Sequence, residues 1–218
     1  MRDSDIHAVV RTLRSTCREW GEPVVERIGS RGRDPFRVLI ACLLSLRTKD
    51  EVTDVASARL FVRASTPQQI LSLTPAQIRR LIYPVGFYRT KAKTMRQICQ
   101  HLIGRFRGRV PDSMEDLLTL PGVGRKTANL VLASGFGKPA ICVDVHVHRI
   151  SNRLGYVRTR DPLGTEMELR RKLPRKYWIS YNALLVRFGQ KLCRPVSPWC
   201  SRCPIRRYCG RVGVTQSR

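Results

Sequence analysis

Apolar residues recur along the chain with the spacing of helices, and no convincing segment alternates as a half-buried strand does. The clearest run occupies the i, i+3, i+4, i+7 and i+8 positions of a helix, at Phe36, Leu39, Ile40, Leu43 and Leu44. Apolar residues fill the other faces of this helix, so it is predicted to be central and buried. The same spacing returns in Met95, Ile98, Leu102, Ile103 and Phe106. We therefore predict an all-α fold of about ten helices.

Helix starts are marked by capping residues placed before prolines. Thr66-Pro67 and Thr74-Pro75 each put a capping threonine before a first-turn proline, with glutamine three residues after the threonine. Asp34-Pro35 opens the buried helix in a similar way. These signals predict where three of the helices begin.

The net charge of the chain indicates what kind of molecule it binds. The 218 residues include 41 Lys and Arg against 16 Asp and Glu, a formal net charge of +25. Such a charge attracts polyanions, among which nucleic acid is favoured. The alternative is a basic ribosomal or membrane-surface protein. We find neither a signal peptide nor an apolar run of about 18 residues, so a soluble intracellular protein is expected. Its eight cysteines are then expected as thiols or metal ligands.

One turn combines glycines with a lysine. The segment L-P-G-V-G-R-K-T follows a short predicted helix at residues 113–118 and leads into a second helix from about Arg125. Backbone N–H groups at such a turn form a natural phosphate seat. Lys126 is one of eight lysines against 33 arginines, and a lysine can act as an amine nucleophile where arginine cannot. The alternative is an ordinary solvated helix lysine.

A carboxylate stands before the next predicted helix, at residues 145–154. In the segment V-D-V-H-V-H-R, Asp144 follows an apolar run at the point where the helix begins. Its position fits a plain N-cap as well as a catalytic carboxylate.

Four cysteines crowd the end of the chain in a C-x6-C-x2-C-x5-C array: Cys193, Cys200, Cys203 and Cys209. Four thiolates suit zinc or a [4Fe–4S] cluster. A zinc ribbon usually has two C-x2-C pairs and this array has one, which mildly favours the cluster. The other four cysteines lie in apolar runs and are predicted core thiols: Cys17, Cys42, Cys99 and Cys142.

Together, L-P-G-V-G-R-K-T-A-N and V-D-V-H-V-H-R resemble the endonuclease III family of helix-hairpin-helix DNA glycosylases, over about residues 36–209. The resemblance implies that Lys126 is the nucleophile and Asp144 the catalytic carboxylate. It also implies that the 6-2-5 cysteine spacing holds a [4Fe–4S] cluster.

The resemblance further implies two helical lobes with DNA bound in the cleft between them. A six-helix lobe, residues 28–138, would end in the hairpin at about 113–132. Residues 1–27 and 139–218 would form the iron–sulfur lobe, with the cluster loop at 193–209. Lys126 and Asp144 would then face each other across the cleft.

The function implied is base-excision repair by a DNA glycosylase with AP lyase activity that removes oxidised pyrimidines. Its partner would be duplex DNA with damaged bases or abasic sites, and a monomer without membrane attachment is expected. Two alternatives stay open. One is a mismatch-specific glycosylase for G·T and G·U pairs, and the other is a non-catalytic iron–sulfur DNA-binding protein.

Two positions depart from the family. Arg47 stands where endonuclease III has a glutamine that fills the space of the flipped nucleotide, and Phe87 replaces a wedge leucine. Both are predicted DNA contacts that could alter opposite-base preference, unless they are drift at tolerant surface positions. The further predicted DNA contacts are Arg89, Lys91, Leu120, Gly122, Val123, Gly124, Arg125, His146, Arg206 and Arg207.

Overall fold

The structure is a computed structural model that describes residues 1–30 and 32–218. Over these residues it contains twelve α-helices and no strand, which confirms the all-α prediction. The helices are α1 (Ile6–Thr16), α2 (Val24–Ser30), α3 (Pro35–Ser45), α4 (Asp50–Arg63), α5 (Pro67–Ser72), α6 (Pro75–Ile82), α7 (Tyr88–Phe106), α8 (Met114–Leu118), α9 (Arg125–Leu130), α10 (Val145–Arg153), α11 (Pro162–Lys172) and α12 (Trp178–Lys191). No helix in the described ranges combines the length and the apolar character needed to cross a membrane.

The chain divides into two compact units. The hairpin unit comprises Val24–Ala140 and so contains α2 to α9. The cysteine unit comprises Met1–Pro23 together with Ile141–Arg218, which contribute α1 and α10 to α12.

Helix α3 forms the centre of the hairpin unit, as its apolar pattern predicts. Its residues from Val38 to Ala41 are fully buried, and α2, α4, α7 and α9 pack around it. Asp34 caps the helix, because its Oδ1 accepts hydrogen bonds from the backbone N–H groups of Phe36 at 2.9 Å and Arg37 at 3.1 Å. The proline after this cap needs no N–H partner at the first helical position.

The other predicted helix starts are also confirmed. Thr66 and Thr74 each accept a hydrogen bond at 3.2 Å from the backbone N–H of the glutamine three residues later. In α7 the predicted apolar positions Met95, Ile98 and Leu102 are buried. Phe106 is half-buried and Ile103 is 37 % exposed. One face of this long helix therefore carries an isolated apolar residue in solvent, which is common for single residues.

A wide turn follows α9 and brings that helix against α3. Residues Val131–Gly135 continue α9 with the looser hydrogen bonding of a π-helix. A Cβ at Gly135 would lie 2.9 Å from the Cα of Pro35, so a larger residue would push the start of α3 away. The glycine thus permits the close approach that places α9 on the central helix.

The cysteine unit is built around α12, against which α1 and α10 pack. Its largest fully buried side chains include Tyr156, Tyr181 and Phe188. Tyr181 donates to or accepts from the Ser151 hydroxyl at 3.2 Å, so its polar end has a partner inside the core.

The four cysteines outside the terminal array are buried, as predicted for core thiols. Burial raises the pKa of the Cys17 thiol to about 11 and that of Cys99 to about 12. It raises the pKa of Cys42 as well. These thiols are therefore neutral at ordinary pH and behave as small apolar side chains.

Candidate active site

The predicted hairpin is formed by α8, a tight turn and α9. Ser113 caps α8 by accepting a hydrogen bond from Asp116 N–H at 3.1 Å. Gly122 in the turn has a φ of +72°, a left-handed conformation that favours glycine. Gly124 is the N-cap of α9 and contributes no side-chain cap, and a Cβ built on it would meet nothing within 4 Å. The first N–H groups of α9 therefore face an open approach.

Lys126 is exposed and occupies the second position of α9. Its positive charge lies close enough to Asp50, at the start of α4, to lower the pKa of that carboxyl. Burial of Asp50 has the larger opposite effect, so its pKa is raised. Asp50 was not among the sequence-predicted site residues, because its electrostatic interaction with a lysine far along the chain leaves no local signal in the sequence. The structure thus gives the exposed lysine an acidic neighbour within its own unit.

Asp144 caps α10. Its Oδ1 accepts hydrogen bonds from the N–H groups of His146 and Val147, each at 2.9 Å. Both bonds use one carboxylate oxygen, which leaves Oδ2 outside the cap. The structure confirms the N-cap interpretation, and that interpretation is compatible with a second role for the half-buried carboxylate.

Helix α10 is tied to the cysteine loop by two arginines. Arg149 lies 3.1 Å from His146 Nδ1 and donates to the carbonyl oxygen of Cys193 at 3.0 Å. Arg153 donates to the Cys193 sulfur at 3.6 Å and to the carbonyl oxygens of Arg194 and Pro195, each at 2.6 Å. Burial lowers the pKa of Arg149. The helix that presents Asp144 is therefore held by the same side chains that hold the cysteine loop.

Four cysteines of that loop line one pocket: Cys193, Cys200, Cys203 and Cys209. Burial, with a smaller contribution from the charges of the other three thiols, raises the pKa of Cys203 to about 11. The four cysteine side chains therefore share the lining of a single pocket. In the described part of the chain, no group of three or more His, Cys, Asp or Glu side chains is arranged as a ready metal-ion site.

The donor chemistry around the pocket suits a thiolate-bound cluster. Arg153 reaches the Cys193 sulfur, and the backbone N–H of Arg211 donates to the Cys209 sulfur at 3.4 Å. Hydrogen bonds to the sulfurs and a largely apolar enclosure are the means by which proteins hold such clusters. The four cysteines are thus the residues of this unit that could hold a [4Fe–4S] cluster.

Arg47 and Phe87 come together in the hairpin unit although 40 positions separate them. The Arg47 guanidinium lies 5.6 Å from the centre of the Phe87 ring. Both residues have left-handed backbones, with φ of +53° and +57°, and Phe87 is 62 % exposed. A Cβ at Gly86 would approach the Arg47 carbonyl oxygen to 2.5 Å. The two loops therefore meet closely and present an arginine–phenylalanine pair to solvent.

Lys91 is placed differently from a surface DNA contact. It is 5 % exposed, and its ammonium donates to the carbonyl oxygens of Leu44 at 2.8 Å and Leu46 at 2.5 Å. It also donates to the Thr48 hydroxyl at 3.2 Å. Burial lowers the pKa of Lys91 to about 8. The side chain thus shapes the loop that carries Arg47, and its charge is directed into the unit.

The other predicted DNA contacts divide into buried and exposed side chains. Leu120 and Val123 are 2 % and 8 % exposed, so their side chains pack inside the unit and only their backbone is left for DNA. Arg89, Arg206 and Arg207 are exposed. Arg125 and His146 are half-buried.

A family model matches residues 40–175, described as HhH-GPD superfamily base excision DNA repair protein. The chain is similar to endonuclease III of Thermotoga maritima, with 51 % identity over 176 residues, 81 % of this chain and 83 % of that one. It is 37 % identical to endonuclease III of Bacillus subtilis over 81 % of each chain. With the mouse endonuclease III-like protein 1 the identity is 44 %, over 80 % of this chain and 59 % of the longer relative.

Solved structures of endonuclease III with DNA share this fold. A non-covalent endonuclease III–DNA complex matches with a TM-score of 0.85 and 32 % identity, over 97 % of this chain and 96 % of that one. A trapped endonuclease III–DNA covalent intermediate matches with the same TM-score and identity, over 97 % of each chain. A thermostable thymine-DNA glycosylase at 24 % identity and a TM-score of 0.83 shares the fold alone.

Proposed function

We propose that Lys126 and Asp144 carry out the chemistry of this chain, which belongs to the HhH-GPD superfamily of base excision DNA repair proteins. It is a DNA glycosylase and AP lyase of the endonuclease III type. The observation that carries this proposal is the placement of Lys126. It is an exposed lysine at the second position of a helix that begins at an open glycine turn.

The substrate carbon is reached by base flipping. A glycosylase must reach C1′ of a nucleotide that is stacked in the duplex, so the nucleotide is turned out into a pocket. The open turn at Gly122 and Gly124 seats a phosphate of that strand against the N–H groups of α9. In this arrangement the backbone N–H groups of the turn anchor the DNA, and Lys126 lies two residues after Gly124 at the start of α9.

Lys126 then acts as the nucleophile. The lone pair of its amine Nζ attacks C1′, the bond from C1′ to the base nitrogen breaks, and the base leaves with a proton. Ring opening gives a Schiff base between Nζ and C1′. Loss of a proton from C2′ and cleavage of the C3′–O bond eliminate the 3′-phosphate and cut the strand. Hydrolysis of the imine returns the amine.

Asp144 serves the same reaction from its cap. Oδ1 is held by two N–H groups of α10, which fixes the carboxylate. Its negative charge stabilises the positive charge that develops on the sugar, and the carboxylate moves the proton of the lysine. The two residues belong to different units, so each assignment rests on the geometry of its own unit.

We propose that the four terminal cysteines hold one [4Fe–4S] cluster. When bound, such a cluster supplies a rigid thiolate-linked framework for the loop. Arg153 and Arg149 fasten that loop to α10. In this way the cysteine loop contributes to the orientation of the helix that carries Asp144, and Arg206 and Arg207 on the same loop contribute to DNA affinity.

The proposed substrates are oxidised pyrimidines in duplex DNA, bound by a monomer. The test is a panel of duplexes that contain thymine glycol, a G·T pair, a G·U pair or an abasic site, assayed under single turnover and with borohydride trapping. We expect base removal from thymine glycol, and covalent trapping on thymine glycol and abasic DNA. Activity confined to G·T and G·U pairs would contradict the substrate assignment, and DNA binding without any trapping would contradict the Schiff-base chemistry.

A further inference from the structure

A pocket of the hairpin unit lies outside the proposed active site. It is an open pocket of about 380 Å³, lined by three arginines and two tyrosines: Arg79, Arg80, Tyr83, Tyr88 and Arg89. Its volume falls in the range of about 300–1,000 Å³ that small ligands occupy. We call it the arginine–tyrosine pocket.

The pocket is formed where α6 ends and α7 begins. Arg79 and Arg80 lie in the last turn of α6, and Tyr83 caps that helix with a backbone bond to the Arg79 carbonyl oxygen at 3.1 Å. Arg59 donates to the Tyr83 carbonyl oxygen and so holds the turn from outside. Because Tyr88 is the first residue of α7, the turn brings both tyrosines to the same pocket.

The two rings offer stacking surface. The Tyr83 and Tyr88 rings meet edge to face, with centres 5.4 Å apart and an angle of 86°. The Arg89 guanidinium lies 5.7 Å from the centre of the Tyr88 ring. Tyr83 is 59 % exposed, which is a large exposure for an aromatic side chain.

The three arginines carry charge that the described part of the chain does not neutralise by ion pairs. Ion pairs in this unit are formed by other cations, among them Arg27, Arg37, Arg105 and Lys138. Arg79, Arg80 and Arg89 are all exposed. A helix C-terminus favours cations, and this explains why Arg79 and Arg80 stand at the end of α6. It does not explain why they line the same pocket as Arg89 and the two tyrosines.

This combination fits one class of ligand. Arginines pair with phosphate, and tyrosine rings stack on nucleobases. In an intact duplex the faces of the bases are covered by their neighbours, so only an unstacked nucleotide can use the rings. Phe87 lies one residue before Tyr88, and a wedge at that position would open the stack beside the pocket.

We propose that the arginine–tyrosine pocket binds an unstacked nucleotide of single-stranded DNA, with the phosphate on the arginines and the base against Tyr83. The identification of that nucleotide as one exposed beside the Phe87 wedge rests on the proposed function. The pocket then holds DNA that has been opened, while the hairpin and Lys126 act on the flipped nucleotide.

The test compares two labelled probes, a short oligothymidylate and an intact duplex of equal length, by fluorescence anisotropy over a range of salt concentrations. Tyr83→Ala should weaken oligothymidylate binding about tenfold or more, because base–aromatic stacking is removed, and should leave duplex binding unchanged. Tyr83→Phe retains the ring and should bind both probes like the wild type. Equal binding of oligothymidylate by Tyr83→Ala and the wild type would overturn the proposal.

The arginines are tested by charge-matched pairs. Replacing Arg79 and Arg80 together by Gln should lower the salt dependence of oligothymidylate binding by about 0.7 for each phosphate that the protein no longer neutralises. Replacing Arg158 and Arg160 by Gln removes the same charge from positions outside the pocket, and should have the smaller effect. If the two pairs lowered the salt dependence equally, the pocket arginines would contribute only general electrostatic attraction, and the proposal would be overturned.

Strand cleavage of an abasic duplex at saturating enzyme separates this proposal from the proposed function. We expect the pocket variants to cleave like the wild type, because Lys126 is intact. If the wild type does not cleave, the lyase mechanism fails, whereas the oligothymidylate measurements still decide whether the pocket binds a nucleotide.

Discussion

The two proposed catalytic residues are presented by their units in contrasting ways. Lys126 is exposed on a short helix that begins at a glycine turn, with open space around the Gly124 Cα. Asp144 is half-buried, and its own helix is fastened by Arg149 and Arg153 to the cysteine loop. The difference indicates at which residue a substitution can change the reaction rate without changing the stability of the fold. Lys126 can be replaced at little cost to the fold, whereas a substitution at Asp144 that removes its cap affects fold and chemistry together.

Among the substitutions that test this contrast, the largest change in reaction rate is expected at Asp144. Asp144→Asn should slow base removal about 10²- to 10⁴-fold, the range typical of removing an acid–base or electrostatic contribution. Stability should change little, because asparagine is still a competent N-cap. Single-turnover rates and thermal unfolding of the same preparations measure both quantities.

Asp144→Ala is the matched variant. It removes the charge and the cap together, so it should share the slow rate and lose about 1 kcal/mol of stability as well. If Asp144→Asn kept the wild-type rate, Asp144 would be a cap alone.

The next effect concerns the cysteine loop. Cys203→Ala should lower Tm by about 10 °C, with loss of any broad absorbance near about 400 nm. Cys99→Ala, at a buried thiol of the hairpin unit, is the control that changes a cysteine without touching the loop. Iron and zinc analysis of anaerobically prepared wild-type protein completes the test. Stoichiometric zinc without iron would contradict the assignment of a [4Fe–4S] cluster.

A smaller effect tests Lys91, whose pKa burial lowers to about 8 from its ordinary value of 10.5. Between these two values the unfolded chain binds more protons than the folded chain, so this residue makes stability rise with pH across that window. The full change is at most about 3 kcal/mol. Below pH 8 the buried charge carries its whole desolvation cost.

Urea unfolding at pH 7.5, 9 and 10.5 compares the wild type with Lys91→Met. The variant leaves the Leu44 and Leu46 carbonyl oxygens without this donor and should be less stable by about 1–3 kcal/mol at pH 7.5. The gap between the two proteins should widen as pH rises, since only the wild type gains from deprotonation of Lys91. A gap that stays constant would mean that the three acceptors keep Lys91 charged throughout.

The smallest effect is expected at the surface of the cysteine loop. Replacing Arg206 and Arg207 by Gln should weaken duplex binding and reduce its salt dependence by about 0.9 for each phosphate that is no longer neutralised. The cleavage rate at saturating DNA should stay unchanged, because neither arginine has a part in the chemistry. Anisotropy titrations in a series of salt concentrations provide the measurement, and an unchanged salt dependence would remove both residues from the DNA interface.

Local features of the fold were predictable from the sequence because their causes are local. The caps at Asp34, Thr66 and Thr74 and the buried pattern of α3 depend on residues within a few positions of each other. The hairpin turn was predictable for the same reason, since Gly122 adopts a left-handed backbone conformation that favours glycine.

Features that join distant segments were not predictable. Lys91 reads as a surface lysine, yet it is buried through contacts to residues 43 to 47 positions away. The electrostatic interaction of Lys126 with Asp50 and the hydrogen bond from Arg149 to the Cys193 carbonyl oxygen likewise join residues that are far apart in the sequence. The side chains of Leu120 and Val123 are buried for the same reason, since packing within the unit decides which apolar side chains are covered.

The most direct test of the central claim is borohydride trapping of Lys126→Gln on a duplex with one abasic site, with Lys93→Gln as the control for an exposed lysine of the same unit. We predict that Lys93→Gln is trapped like the wild type. Lys126→Gln should bind the duplex with nearly unchanged affinity, since it removes one charge among 41 basic residues, and should give no covalent complex and no strand cleavage. Trapping and cleavage by Lys126→Gln at the wild-type rate would contradict the assignment of Lys126 as the nucleophile.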